Sequence, residues 1–285
     1  MNTVGGRSQR LRRGMYIIPS VFTSGNIAAG YFAITQCLQG SAAAPHHFDY
    51  AALAIGFAIP FDALDGRIAR MTNTTSEFGK ELDSLADVIT FGVAPSILAF
   101  TWGFSMLPET MDPLIRQKLI EFGAFLCFLF LMCGAGRLAR FNISHNPQPK
   151  NPGRPGRKYF VGMPIPAAAG AIASVVHLFH GNPIFNWWLA ITWMVLVGLL
   201  GFLMVSTWRF WSGKEINLSK RHPFQGLILA SAIIYAIARF SHEVLFLIAF
   251  VYMFSGIFAR MAYSWQRARH SGGTHVSNPT TSTPE

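Results

Sequence analysis

Charge is scarce in this chain. Of its 285 residues, 13% are Asp, Glu, Lys or Arg, while 51% are hydrophobic and 14% aromatic. That balance excludes an ordinary soluble domain and fits a polytopic membrane protein. Cysteine is scarce as well. Cys37, Cys127 and Cys133 all fall in apolar runs, at spacings that match neither a disulfide framework nor a metal pattern, and read as small buried hydrophobes. No internal repeat of the kind that marks many transporters is visible. Acidic residues are outnumbered, 13 against 23 Lys and Arg, for a net charge of +10. A surplus of that size raises nucleic-acid binding. The basic residues flank apolar runs, however, and no soluble basic domain exists to hold a duplex. They are placed to face anionic lipid headgroups instead.

What the chain has in quantity is hydrophobic length. Eight apolar runs, near 15–38, 48–68, 82–107, 119–139, 162–180, 185–206, 223–240 and 243–262, are each long enough to cross a membrane. The hydrocarbon core is ~30 Å thick and needs about 20 residues. Pro95 is expected to kink the third run. With the N-terminus in the cytoplasm, segments 1–14, 67–80, 137–158, 209–221 and 260–285 hold twenty of the 23 basic residues. The other side keeps Arg116, Lys118 and Arg239, a strong positive-inside asymmetry. The predicted fold is all-α: a polytopic membrane helix bundle of about eight transmembrane helices, with a polar cavity facing the cytoplasm. One membrane domain, 15–263, is expected between a basic tail, 1–14, and a Ser, Thr, Gly and Pro-rich tail, 264–285. Arg10–Arg13 ahead of the first run resembles a secretion signal, but the run is too long and seven more follow it, so it reads as a retained helix. The longest internal loop, 141–161, is too rich in proline and glycine for regular structure.

Of six aspartates, four sit in one window: Asp62-Ala-Leu-Asp65-Gly66-Arg67-Ile-Ala69-Arg70, eight residues, then Gly79-Lys-Glu-Leu-Asp83-Ser-Leu-Ala-Asp87. A charged side chain in a membrane span costs about 3 kcal/mol, so four together call for a compensating partner. Asp62 and Asp65 share one helix face, and Asp83 and Asp87 share a face of the next. The segment 71–76 breaks the helix between them, and Thr74 with Glu77 matches a capping box. A short helix–turn–helix brings the two faces together, and hard divalent cations take carboxylate oxygens. Gly66 and Gly79 let a ligand or helix approach the backbone. Arg67 and Arg70 add positive charge for an anionic substrate. The competing reading is a helix-end network pairing the aspartates with Arg67, Arg70 and Lys80. His46, His47, His177 and His180 lie away from this window and are assigned no catalytic role.

The pattern Asp-x-x-Asp-Gly-x-x-Ala-Arg, eight residues, Gly-x-x-x-Asp-x-x-x-Asp resembles the signature of the CDP-alcohol phosphotransferase family, with every fixed position matched over 26 residues. The resemblance implies an integral membrane enzyme that joins a CDP-linked group to an alcohol and releases CMP, using Mg2+ or Mn2+. Further segments resemble the phosphatidylserine synthase branch, which joins CDP-diacylglycerol to L-serine. They are Met15–Gly30, Gly136-Arg-Leu-Ala-Arg-Phe-Asn142, Phe160–Ala169 and Val205–Lys214. Ser20, where relatives often have Asn, and Trp208 and Trp211 depart from that pattern.

On this reading Asp62, Asp65, Asp83 and Asp87 hold one or two cations, and Gly66, Arg70 and Gly79 contact the CDP-lipid. The resemblance makes Asp87 the general base. Arg137, Arg140 and Arg209 fall at cytoplasmic helix ends, where a guanidinium can grip the serine carboxylate, and Asn142 can accept from its ammonium. The plainer reading of these arginines is helix anchoring. Lys150, Arg154, Arg157 and Lys158 read as a solvated, lipid-facing face. The resemblance further implies a homodimer. The membrane expected is a bacterial inner membrane, and the basic asymmetry puts both termini on its cytoplasmic side. The alternatives are a sibling enzyme using glycerol phosphate or an inositol-type acceptor, a cation transporter, and a non-enzymatic membrane scaffold.

Overall fold

A computed structural model describes residues 4–71, 77–143, 159–211 and 223–271. Helices dominate, and each of the eight apolar runs lies on one. Helix α1, Val4–Gln39, turns back through a short connection into α2, His46–Met71, its most extensive neighbour. Helix α3, Glu77–Asp87, continues without interruption through a π-helical turn, Val88–Val93, into α4, Ala94–Phe100, and a second π turn, Thr101–Ser105. Helices α5, Pro113–Ile143, α6, Ile165–Leu178, α7, Trp187–Val205, α8, Pro223–Arg239, and α9, Ser241–Ser271, complete the bundle. Both terminal helices run past the boundaries expected at residues 15 and 263.

Local chemistry explains the element starts. Asp112 Oδ1 accepts from the amides of Leu114 at 3.0 Å and Ile115 at 3.1 Å, and Pro113 follows it as the first helical residue of α5. Helix α6 opens without a side-chain cap: Pro164 stands at the cap position and Pro166 in the first turn, where a missing amide costs nothing. The irregularity expected at Pro95 is present, but it is a widened turn just before the proline rather than a break. Proline cannot donate to the preceding turn, and the π turn takes up the mismatch.

Four helical runs among the described residues are long and apolar enough to cross a membrane: Glu77–Ser105, Pro113–Ile143, Trp187–Val205 and Ser241–Met261. The protein is a membrane protein. Helix α2 falls short of that standard because its last turns carry Asp62, Asp65, Arg67 and Arg70. Helix α6 is short and buried on nearly every side. Its run Ala167-Ala-Ala-Gly-Ala-Ile-Ala173 is made of small residues, which let α2 and α9 approach closely. The outward faces of α5 and α9 expose Phe122, Phe125, Phe128, Val251, Phe254 and Phe258, as a lipid-facing surface requires.

One feature falls outside an all-helical expectation. Strands Tyr159–Val161, β1, and Arg209–Trp211, β2, pair antiparallel with Val161 opposite Arg209. The loop expected over 141–161 is therefore shorter at both ends. Gly162 follows β1 with φ of 74°, where a Cβ would strike the carbonyl oxygens of Met204 and Ser206. Far from the aspartate window, His177 Nδ1 meets Asp49 Oδ1 at 2.5 Å and its Nε2 meets Ser241 Oγ at 2.9 Å. That chain clasps α2, α6 and α9 together.

Candidate active site

The site forms where α2 ends and α3 begins. Asp62, Asp83 and Asp87 present carboxylate oxygens that all lie within 4.8 Å of one another. Asp62 and Asp87 are within hydrogen-bonding reach of each other. Oδ1 of Asp87 is buried and accepts no hydrogen bond. Like charges this close repel strongly in a low-dielectric setting, and a cation held among them would relieve that repulsion. The side chains of Asp65 and Arg70, and the capping residue Thr74, lie outside the described residues. Gly66 sits one turn beyond Asp62 on α2, and Gly79 one turn before Asp83 on α3. The competing salt-bridge network loses one proposed member, because Lys80 pairs with Glu77 at 2.7 Å.

The residues singled out for an acceptor divide in two. Arg137 is 8% exposed and lies within electrostatic reach of Asp87 and of Tyr252 on α9. Its Nε is buried with no partner. Arg140 and Asn142 instead tie elements together. Arg140 donates to the Val205 carbonyl at 3.1 Å and the Val161 carbonyl at 3.3 Å. Asn142 Nδ2 donates to Ser84 Oγ at 2.9 Å, and Ser84 donates on to the Lys80 carbonyl at 3.0 Å, linking α5 to the aspartate helix. Arg209 is positioned by the two-stranded sheet, and the Tyr252 hydroxyl fixes that sheet to α9 through the Trp211 carbonyl at 3.1 Å. Lys150, Arg154, Arg157 and Lys158 lie outside the described residues.

Sequence reasoning passed over three participants: Asn26, Ser84 and Tyr252. Asn26 carried the clearest signal, a carboxamide in an apolar run. Its backbone carbonyl accepts from Thr90 Oγ1 at 2.8 Å, pinning α1 to the π turn that follows Asp87.

A model of the CDP-alcohol phosphatidyltransferase family matches residues 16–195, which include the whole aspartate window. The chain belongs to this family. As a CDP-alcohol phosphatidyltransferase, it is an enzyme of a divalent-metal-dependent transferase family. It is similar to the CDP-diacylglycerol–serine O-phosphatidyltransferase of Helicobacter pylori strain 26695, at 35% identity over 71% of this chain and 75% of that protein. The Bacillus subtilis protein of the same name is 35% identical over 69% of this chain and 90% of its own length. That of Saccharomyces cerevisiae is 36% identical over 55% and 52%. The residues present fit a divalent ion. Three hard oxygen donors converge from two helices, and one buried oxygen among them has no partner.

Proposed function

We propose that the protein transfers the phosphatidyl group of CDP-diacylglycerol to L-serine, giving phosphatidylserine and CMP. The observation that carries this reading is the gathering of Asp62, Asp83 and Asp87, with the unpartnered Oδ1 of Asp87 within electrostatic reach of buried Arg137. The name shared by the similar proteins supports serine as the acceptor.

Asp62, Asp65, Asp83 and Asp87 hold Mg2+ or Mn2+, which when bound neutralises charge on the pyrophosphate. Gly66 and Gly79, lacking side chains, let the nucleotide lie against the helices, and Arg70 neutralises phosphate charge. Arg137 takes the serine carboxylate. Oδ1 of Asp87 accepts the proton of the serine hydroxyl as that oxygen bonds to the lipid-side phosphorus. The bond from phosphorus to CMP breaks, and the proton passes later to water. Arg140, Asn142 and the sheet bearing Arg209 hold the acceptor side of the site in place. The acyl chains stay in lipid while serine and CMP exchange with the cytoplasm. Both termini are cytoplasmic, the membrane domain is 15–263, the membrane is a bacterial inner membrane, and the working form is a homodimer.

The test is CMP release by purified protein given CDP-diacylglycerol, Mg2+ or Mn2+, and separately serine, glycerol phosphate and inositol. Serine alone should support release and yield phosphatidylserine. Release with either other acceptor at equal or greater rate would transfer the assignment to a sibling activity.

A further inference from the structure

Four buried side-chain atoms among the described residues make no hydrogen bond: Oδ1 and Nδ2 of Asn26, Oδ1 of Asp87 and Nε of Arg137. Two of the three residues already belong to the site. The third, Asn26, is 2% exposed and lies on α1. Thr90, which donates to the Asn26 carbonyl, stands about one turn beyond Asp87 on the same continuous rod. Gly30, one turn along α1, presses so close that a Cβ there would sit 2.6 Å from Thr90 Oγ1. Asn26 is thus held at a fixed place against the rod that bears the candidate base.

A buried carboxamide with neither edge satisfied is costly, and native proteins rarely keep one without a reason. The unpartnered atoms also form a chemical complement. Asn26 offers an acceptor and a donor side by side, Arg137 a donor, and Asp87 an acceptor. An α-amino acid presents an ammonium next to a carboxylate, which is the mirror of a carboxamide edge. We propose that Asn26 is an acceptor-binding residue. Its Oδ1 takes the ammonium and its Nδ2 the carboxylate of an α-amino acid alcohol, Arg137 Nε binds the same carboxylate, and Asp87 Oδ1 faces the hydroxyl. This rests on the serine-transferase reading above and extends it to selectivity. An alcohol lacking either charged group leaves one edge of Asn26 unpaired inside the protein, and sites built for hydrogen bonding reject such analogues strongly.

The experiment is Asn26→Leu in the full chain, read by thermal unfolding and by the KM for each substrate. The variant should unfold at the same or a higher temperature, because an apolar side chain of similar size replaces an unsatisfied amide. Its KM for serine should rise ~10- to 100-fold while that for CDP-diacylglycerol changes by less than about threefold. Ethanolamine and 3-hydroxypropionate, each missing one charged group, should lose most of their disadvantage relative to serine. If the wild type releases no CMP with serine, the proposed function fails. If the wild type is active and the folded variant keeps its serine KM, the assignment of Asn26 alone fails. Should Asn26→Leu not fold, Asn26→Asp is read by the same two KM values. It keeps an oxygen for the ammonium but sets a negative charge against the carboxylate, so an unchanged serine KM overturns the assignment and a raised one supports it.

Discussion

Arg140 holds Val205 by its backbone: Nη1 donates to the Val205 carbonyl at 3.1 Å, while Nη2 reaches the Val161 carbonyl at 3.3 Å. One guanidinium therefore joins the end of α5, the end of α7 and strand β1. Arg140→Leu removes both bonds and leaves two carbonyls unanswered. Stability should fall by about 1–3 kcal/mol, seen as a lower Tm in detergent. Arg140→Lys should restore little, since an ammonium lacks the planar fork that spans two acceptors. If Arg140 instead binds substrate directly, Tm will hold and only the serine KM will move.

Asp87→Asn tests the proton acceptor. The amide is nearly isosteric with the carboxyl, so the helix rod should persist and the CDP-lipid should still bind. CMP release should drop ~100- to 10,000-fold, the range associated with losing a positioned base. Equilibrium binding of CDP-diacylglycerol alongside single-turnover CMP release separates the two effects. A variant with near-normal release would remove Asp87 from the proton transfer.

Metal dependence follows from the three converging carboxylates. Chelation should abolish CMP release, and Mg2+ or Mn2+ should restore it. Asp62→Ala removes one donor, and the metal concentration for half-maximal rate should rise at least ~10-fold. The measurement is a metal titration of CMP release in wild type and variant. Identical titrations would exclude Asp62 as a ligand.

The meeting of Asp62 with Asp83 and Asp87 was legible in the sequence because helical spacing of three and four fixes which side chains share a face, and a short break forces neighbouring helices together. The helices themselves were legible because apolar length is a strong signal. What the pattern could not show is which polar groups serve the ligand and which serve the frame. Arg137 and Arg140 are three residues apart in one motif, yet one ends buried near Asp87 and the other binds carbonyls of distant segments. The carbonyls of Val161 and Val205 have no sequence signature, and three-residue strands such as β1 and β2 are too short to leave a periodic one. Asn26 was missed because a lone polar residue in an apolar run is ordinary until its partners are known.

Gly30 should be intolerant of substitution. A Cβ at this position would stand 2.6 Å from Thr90 Oγ1 and 2.9 Å from Thr90 Cα, so either the side chain or the backbone must retreat. Gly30→Ala gains helix propensity but overpacks this contact, for a net loss of about 1–3 kcal/mol. The shift separates α1 from the π turn next to Asp87, so the serine KM should rise along with the loss of Tm. In Gly30→Ala/Thr90→Ala the obstructing hydroxyl is gone, and part of the stability should return. Failure of the double variant to recover any Tm would mean that the backbone contact, together with the lost Thr90–Asn26 hydrogen bond, outweighs the relief.

The clasp of Asp49, His177 and Ser241 should matter for stability and not for chemistry. Asp49 and Asp62 lie on the same helix, thirteen residues apart, which at 1.5 Å per residue puts the clasp roughly 20 Å from the aspartate site. His177→Ala leaves the Asp49 carboxyl and the Ser241 hydroxyl without the imidazole that joins them at 2.5 Å and 2.9 Å. Three helices lose a shared tie, and stability should drop by about 2–3 kcal/mol. KM for serine and for CDP-diacylglycerol should stay within about twofold of wild type below the unfolding transition, because the clasp lies at the other end of α2 from the aspartate site. A Ser–His–Asp chain also has the connectivity of a nucleophile relay, so Ser241→Ala gives a second measure. It should cost less stability than His177→Ala, since a small hydroxyl is lost and the Asp49–His177 bond remains. A variant of either residue that unfolds like wild type but has lost most CMP release would show that the far end of the bundle takes part in the reaction.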